Sequence, residues 1–159
     1  MPQNYVLPAN AILIHGVPLN EEFEAAPGSA ILPGDIVCFG TNYCDGGNPR
    51  IKECPANHEK FLGVAEQSHE GDRDDVFTAG DQVRVLDGDI IFAARLAANI
   101  TIICGDLLKT AASGEVTKFN CELVTSDPGN NNACLLVAQS RESKASATTY
   151  QWLIAKFLR

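Results

Sequence analysis

The feature that most constrains this chain is a Gly-Asp step entering an apolar run. It occurs four times: Pro33-Gly34-Asp35-Ile36-Val37, Ala79-Gly80-Asp81-Gln82-Val83, Gly88-Asp89-Ile90-Ile91 and Cys104-Gly105-Asp106-Leu107-Leu108. Glycine accepts the positive φ of a tight turn, and aspartate caps that turn by accepting backbone N–H groups. A chain so punctuated makes short strands that turn back into a core. Gly34, Asp35, Gly80, Asp81, Gly88, Asp89, Gly105 and Asp106 therefore read as structural corners. A catalytic or metal-binding role would need these aspartates to converge, whereas the corners of a barrel lie apart.

The rest of the chain fits that frame. Ile36-Val37-Cys38-Phe39, Phe61-Leu62-Gly63-Val64-Ala65 and Leu135-Leu136-Val137-Ala138 read as strands, and Gln82-Val83-Arg84-Val85-Leu86 alternates as a half-buried strand should. Asp89 to Leu96 is apolar enough for a strand buried on both faces, with a helix over Phe92 to Ala98 as the alternative. Ile100-Thr101-Ile102-Ile103, Glu115 to Phe119 and Cys121 to Val124 read as further β runs, and the tail Tyr150 to Arg159 as a final strand, with an amphipathic helix as the alternative. Strands at such intervals, with no βαβ pattern, predict an all-β fold: a small β-barrel of short antiparallel strands, or a sandwich of them. Residues 1–30 read as an extended N-terminal arm broken by Pro8, Pro18 and Pro27, with one helical turn over Asn20 to Ala26 capped by Asn20. Residues 31–159 form the barrel domain, with a Cys/Gly/Asn-rich loop at 41–57.

The 159 residues suit one ordinary domain plus an arm. A net charge of -8 and the lack of a Lys/Arg cluster argue against nucleic acid and against an anionic membrane surface as partners. No run approaches the roughly 20 apolar residues of a membrane span. The start, Met1-Pro2-Gln3-Asn4-Tyr5, lacks a basic region, and Ala11 to Ile14 is too short for a signal core. The expectation is a protein made and assembled in a cytoplasm.

The six cysteines, Cys38, Cys44, Cys54, Cys104, Cys121 and Cys134, are irregularly spaced and contain no C-x-x-C. Without an export signal, buried free thiols are the favoured reading over disulfides. The tightest group, Cys38, Cys44, Cys54 and His58, has the donor types of a tetrahedral zinc site, but only Cys54 and His58 stand at ligand spacing. It is a weak candidate, and no cofactor is expected. A nucleophilic cysteine would need an oriented histidine; His15, His58 and His69 carry no local signature of one.

Read in order, Gly63-Val64-Ala65, the Gly80-Asp81 strand, Gly105-Asp106-Leu107-Leu108-Lys109 through Ser113-Gly114-Glu115-Val116, then Leu136-Val137-Ala138-Gln139-Ser140 and Trp152-Leu153-Ile154 resemble the capsid decoration, or cement, proteins of tailed viruses. The resemblance covers residues 61–159. The arm and the 41–57 loop lie outside it, and Leu136 stands where that family has glycine. It implies a β-tulip-like barrel and a non-enzymatic virion protein on the capsid exterior, partnered by a major capsid protein and by itself as a homotrimer. The arm would then contact a capsid or neighbouring subunit through Tyr5, Val6, Leu7, Ile12, Leu13 and Ile14, by adding a strand to it. The alternative is an arm that packs on its own domain.

Two rival functions find less support in the residues. The Gly-Asp steps also resemble β-rich serine–lysine peptidases, but their Ser precedes a Met and Met1 is the only one here. No P-loop exists, and Asp74-Asp75 sit in a charged loop. A ligand- or glycan-binding module would display exposed aromatics, whereas Trp152 is the only tryptophan and lies in an apolar run.

Overall fold

The computed structural model describes residues 11–40, 49–58, 60–68, 71–120, 136–145 and 151–158. Among them there is no α-helix. The strands are β1 (Leu13–His15), β2 (Leu19–Ala25), β3 (Ile36–Phe39), β4 (Arg50–Glu53), β5 (Gly63–Ala65), β6 (Gln82–Asp87), β7 (Ile91–Leu96), β8 (Leu107–Thr110), β9 (Val116–Lys118), β10 (Leu136–Ser140) and β11 (Gln151–Phe157). One 3-10 turn, Ala112–Gly114, joins β8 to β9.

The chain builds two closed barrels where one was expected. The first runs β2-β4-β3-β5-β6, and the second runs β7-β9-β8-β10-β11, with β1 added along β7. Both have the same order: first, third, second, fourth and fifth strand, closing back on the first. Both contain one parallel pair, β2 with β4 and β7 with β9, so the barrels are not wholly antiparallel.

The correspondence extends to register. Val37 opposes Glu53 and Phe39 opposes Ile51, as Leu108 opposes Lys118 and Thr110 opposes Val116. Ile36 opposes Val64, as Leu107 opposes Gln139. Glu24 opposes Gln82, as Arg95 opposes Trp152. Even the bridge outside the strands is repeated, Ile31 with Phe77 and Ile102 with Lys144. The fold is thus a tandem of one barrel plan.

The Gly-Asp steps supply matching corners. Gly34, Gly80 and Gly105 have φ of +89°, +89° and +96°. In each case the following aspartate accepts an N–H from the residue three before it: Leu32 to Asp35 at 2.8 Å, Thr78 to Asp81 at 2.8 Å and Ile103 to Asp106 at 2.9 Å. Gly88 also has a positive φ, +97°, but Asp89 turns outward to Lys156 Nζ at 2.9 Å. Asp106→Ala removes one such turn bond at a half-buried corner and is expected to cost about 1 kcal/mol, read as a shift in urea midpoint at unchanged slope.

Several local expectations are corrected. Leu19–Ala25 is a strand of the first barrel, so the barrels begin inside the expected 1–30 arm, and the helical turn at Asn20 does not form. Phe23 and Ala25 point inward while Glu22 and Glu24 face outward. That alternation satisfies a sheet and no helical face. The second half of the expected 41–57 loop holds β4, which sends Ile51 inward. Ile100 to Ile103 contributes only the Ile102 bridge, leaving Ile103 61% exposed. Residues 121–124 lie outside the described residues. β7 is buried along its whole length, and β11 closes the second barrel as a strand.

The barrels share a core. Ile36, Cys38, Cys54, Phe61, Val64 and Leu86 of the first half pack in one cluster with Phe92, Leu108, Leu153 and Phe157 of the second. At its centre Phe157 stacks on Phe92 at 4.2 Å between ring centroids and on Phe61 at 6.0 Å. A smaller cluster of Phe23, Ala25, Ile31, Val37, Ile51, Ala65, Phe77, Val83 and Val85 fills the first barrel.

Candidate functional site at the seam between the barrels

β3 and β4 pair so that Cys38 opposes Lys52, and the Cys54 N–H continues the ladder to the Ile36 carbonyl at 2.8 Å. Cys38 and Cys54 are then diagonal neighbours on the face of the first barrel that meets the second. Past Cys54 the chain turns through Pro55-Ala56-Asn57 and is clamped to the second barrel. Asn57 N–H reaches the Thr110 carbonyl at 3.1 Å, His58 N–H reaches Thr110 Oγ1 at 2.9 Å, and Gly114 N–H reaches the Cys54 carbonyl at 2.9 Å. This brings the two Sγ atoms and an imidazole nitrogen of His58 within 4.8 Å of one another. Both cysteines are fully buried and His58 is half-buried. The sulfurs are hydrogen-bonded to each other, which eases ionisation of Cys38, while that bond and burial push the Cys54 thiol up.

Three of the four residues weighed as metal ligands are therefore together; Cys44 lies outside the described residues. The sequence concealed this because strand register, not local spacing, carries Cys38 to Cys54. Cys104 is exposed and apart from them.

The other side of the seam holds a buried Asp–Arg contact. Asp35, from the first Gly-Asp corner, faces Arg95 on β7 with Oδ1 to Nε at 3.3 Å, and both side chains are almost wholly enclosed. Trp152 caps the pair, its ring 5.8 Å from the Arg95 guanidinium, and leaves no room for a side chain at Gly34. Burial pushes the Asp35 carboxyl up to about 8, against the Leu32 N–H bond and the Arg95 charge. At the equivalent corner of the second barrel, the Ile103 N–H and Lys118, at 3.1 Å, hold Asp106 below its usual range. The corner aspartates thus share a turn geometry and stay apart.

The arm residues divide. Tyr5, Val6 and Leu7 lie outside the described residues. Ile12 is fully buried in the shared core, and Leu13 and Ile14 pack against it. β1 pairs with β7 of its own chain, with Leu13 opposite Phe92. Ile12 is thereby committed to its own barrel and presents no surface to a partner. The exposed apolar residues of this region are instead Val17, 90% exposed, and Leu19, 68% exposed, at the β1–β2 junction. Val17 stands outside the strands, while Leu19 opens β2 opposite Asp87 with its side chain in solvent; the sequence marked this junction only by Gly16 and Pro18.

No family model and no curated protein matches the chain. Among solved structures it is similar to the N base of the head fiber gp8.5 of bacteriophage phi29, with a TM-score of 0.47 and 17% identity over 89% of this chain and 99% of that one.

Proposed function

We propose that this chain is a non-enzymatic structural protein of a virion that binds the outer surface of an icosahedral shell as a trimer and stabilises it. The observation that carries the reading is the order of hairpins from Gly63 to Ile154, the order that resembles the decoration proteins of tailed viruses. Its best-matching segment, Gly105 to Val116, forms the β8 corner, the Ala112–Gly114 turn and the entry to β9. The Val17–Leu19 ridge supplies an apolar contact surface, the two most exposed large apolar side chains among the described residues. It also replaces Ile12 to Ile14 as the place where the N-terminal region meets a partner.

The test is co-sedimentation with shells assembled from the major capsid protein of the same virus, beside light scattering of the free chain. Saturable binding is expected, with a solution mass near three times 17.0 kDa. Val17→Asp with Leu19→Thr should weaken binding at least tenfold at unchanged melting temperature, because both side chains are already in water and no second carboxylate is set opposite Asp87. An absence of binding by the unaltered chain overturns the reading. Binding unchanged in the double variant overturns the ridge as the contact.

A further inference from the structure

We propose that Cys38, Cys54 and His58 bind one thiophilic divalent ion of the zinc class in the seam between the barrels, with solvent in the fourth position. Three observations converge. The donor set is two sulfurs and one imidazole, the combination that zinc and its analogues prefer. The Cys54-to-His58 spacing is that of a ligand pair on one turn, and Cys38 is brought to it across the β3–β4 ladder. The three donor atoms already lie within 4.8 Å of one another. Tetrahedral bonds of the usual lengths would put them about 3.5–3.8 Å apart, so small side-chain adjustments close the site.

The charge balance favours a divalent ion. Two thiolates neutralise it and the imidazole adds nothing, so the loaded centre is neutral, as the burial of both sulfurs favours. Binding releases the two thiol protons to solvent. The consequence is mechanical. Cys38 and Cys54 belong to the first barrel, while the His58 backbone is hydrogen-bonded to Thr110 of the second. An ion here would fix the 54–58 turn and tie the barrels together, apart from any contact the chain makes with a shell.

The experiment is titration of the full, reduced, metal-free chain with Co²⁺, followed by Zn²⁺. One Co²⁺ per chain is expected, with thiolate-to-cobalt charge-transfer absorption that one equivalent of Zn²⁺ abolishes, and with a rise in melting temperature on loading. His58→Ala, a change at a half-buried position that should leave the fold intact, should weaken binding at least tenfold. Cys38→Ser should remove the charge-transfer band, and Cys104→Ser should leave it unchanged. No saturable uptake, or uptake indifferent to both His58→Ala and Cys38→Ser, overturns the proposal. So does an air-purified chain carrying a Cys38–Cys54 disulfide that takes up no metal after full reduction.

Discussion

Gly63→Ala is expected to destabilise the protein by about 3–5 kcal/mol and to lower its melting temperature by more than about 10 °C. Gly63 is the first residue of β5, the shortest wall of the first barrel, and it pairs with Val37 on β3. A Cβ there would collide with the Leu86 carbonyl oxygen and stand 2.8 Å from Val85 Cγ1. The obstacle is the β6 backbone, which is pinned on its far side by six paired positions along β2. A flexible side chain could give way, but a closed ladder cannot without opening the barrel. Position 63 corresponds to Ala138 in the second barrel, where a buried methyl group is already accommodated and β10 carries a register shift between Leu136 and Ala138. Ala138→Gly should therefore cost only about 1–2 kcal/mol, from lost packing and added chain entropy. Gly80→Ala is the control, since its Cβ would meet nothing within 4 Å. It pays only for a positive φ, about 1–2 kcal/mol. Urea unfolding of the three variants at one pH ranks them. A Gly63→Ala midpoint within error of Gly80→Ala would remove the argument that β5 and β6 are rigidly closed.

The corresponding positions also explain what the sequence could and could not reveal. The Gly-Asp corners were legible because their chemistry is local: one residue supplies positive φ and the next a hydrogen-bond acceptor. The strands that follow them, β3, β6 and β8, were found for that reason. The tandem plan was hidden because equivalent core positions keep only their apolar or small character: Val37 with Leu108, Ile51 with Val116, Ala65 with Ser140. β2 was misread because Glu21, Glu22, Glu24, Ala25 and Ala26 favour a helix locally, while the inward pair Phe23 and Ala25 is claimed by the barrel. Tertiary burial overrode propensity there. β4 was missed because only Ile51 of its four residues is fully buried. Of the metal candidates, the Cys54–His58 spacing was readable. The partnership with Cys38 depended on pairing Ile36–Phe39 with Arg50–Glu53, which a single sequence does not record.

The two equivalent corners also predict opposite responses to pH. Asp35 has its carboxyl pushed up to about 8 because the seam strips it of water. Its Oδ1 lies 3.3 Å from Arg95 Nε, and that charge contact offsets only part of the desolvation. A carboxyl raised in the folded state binds its proton more tightly there than in the unfolded chain. Its contribution is full below about pH 4 and is lost as pH rises towards 8, on the order of 5 kcal/mol. Glu115, raised by partial burial near Arg95, acts in the same direction. Asp106, held low by the Ile103 N–H and Lys118, acts in the opposite sense and loses its contribution as pH falls below the ordinary carboxylate range. Asp35→Asn keeps an acceptor for the Leu32 N–H and cannot ionise. It should cost little at pH 5, and its stability should fall much less than that of the unaltered chain between pH 5 and pH 9. Arg95→Met removes the cation that makes ionised Asp35 tolerable, so the alkaline loss should steepen. Urea midpoints for the three proteins at pH 5, 7 and 9 decide the matter. Parallel curves for Asp35→Asn and the unaltered chain would mean that Asp35 is ionised throughout this range. The Asp35–Arg95 contact would then be a fully charged pair binding the first barrel to the second.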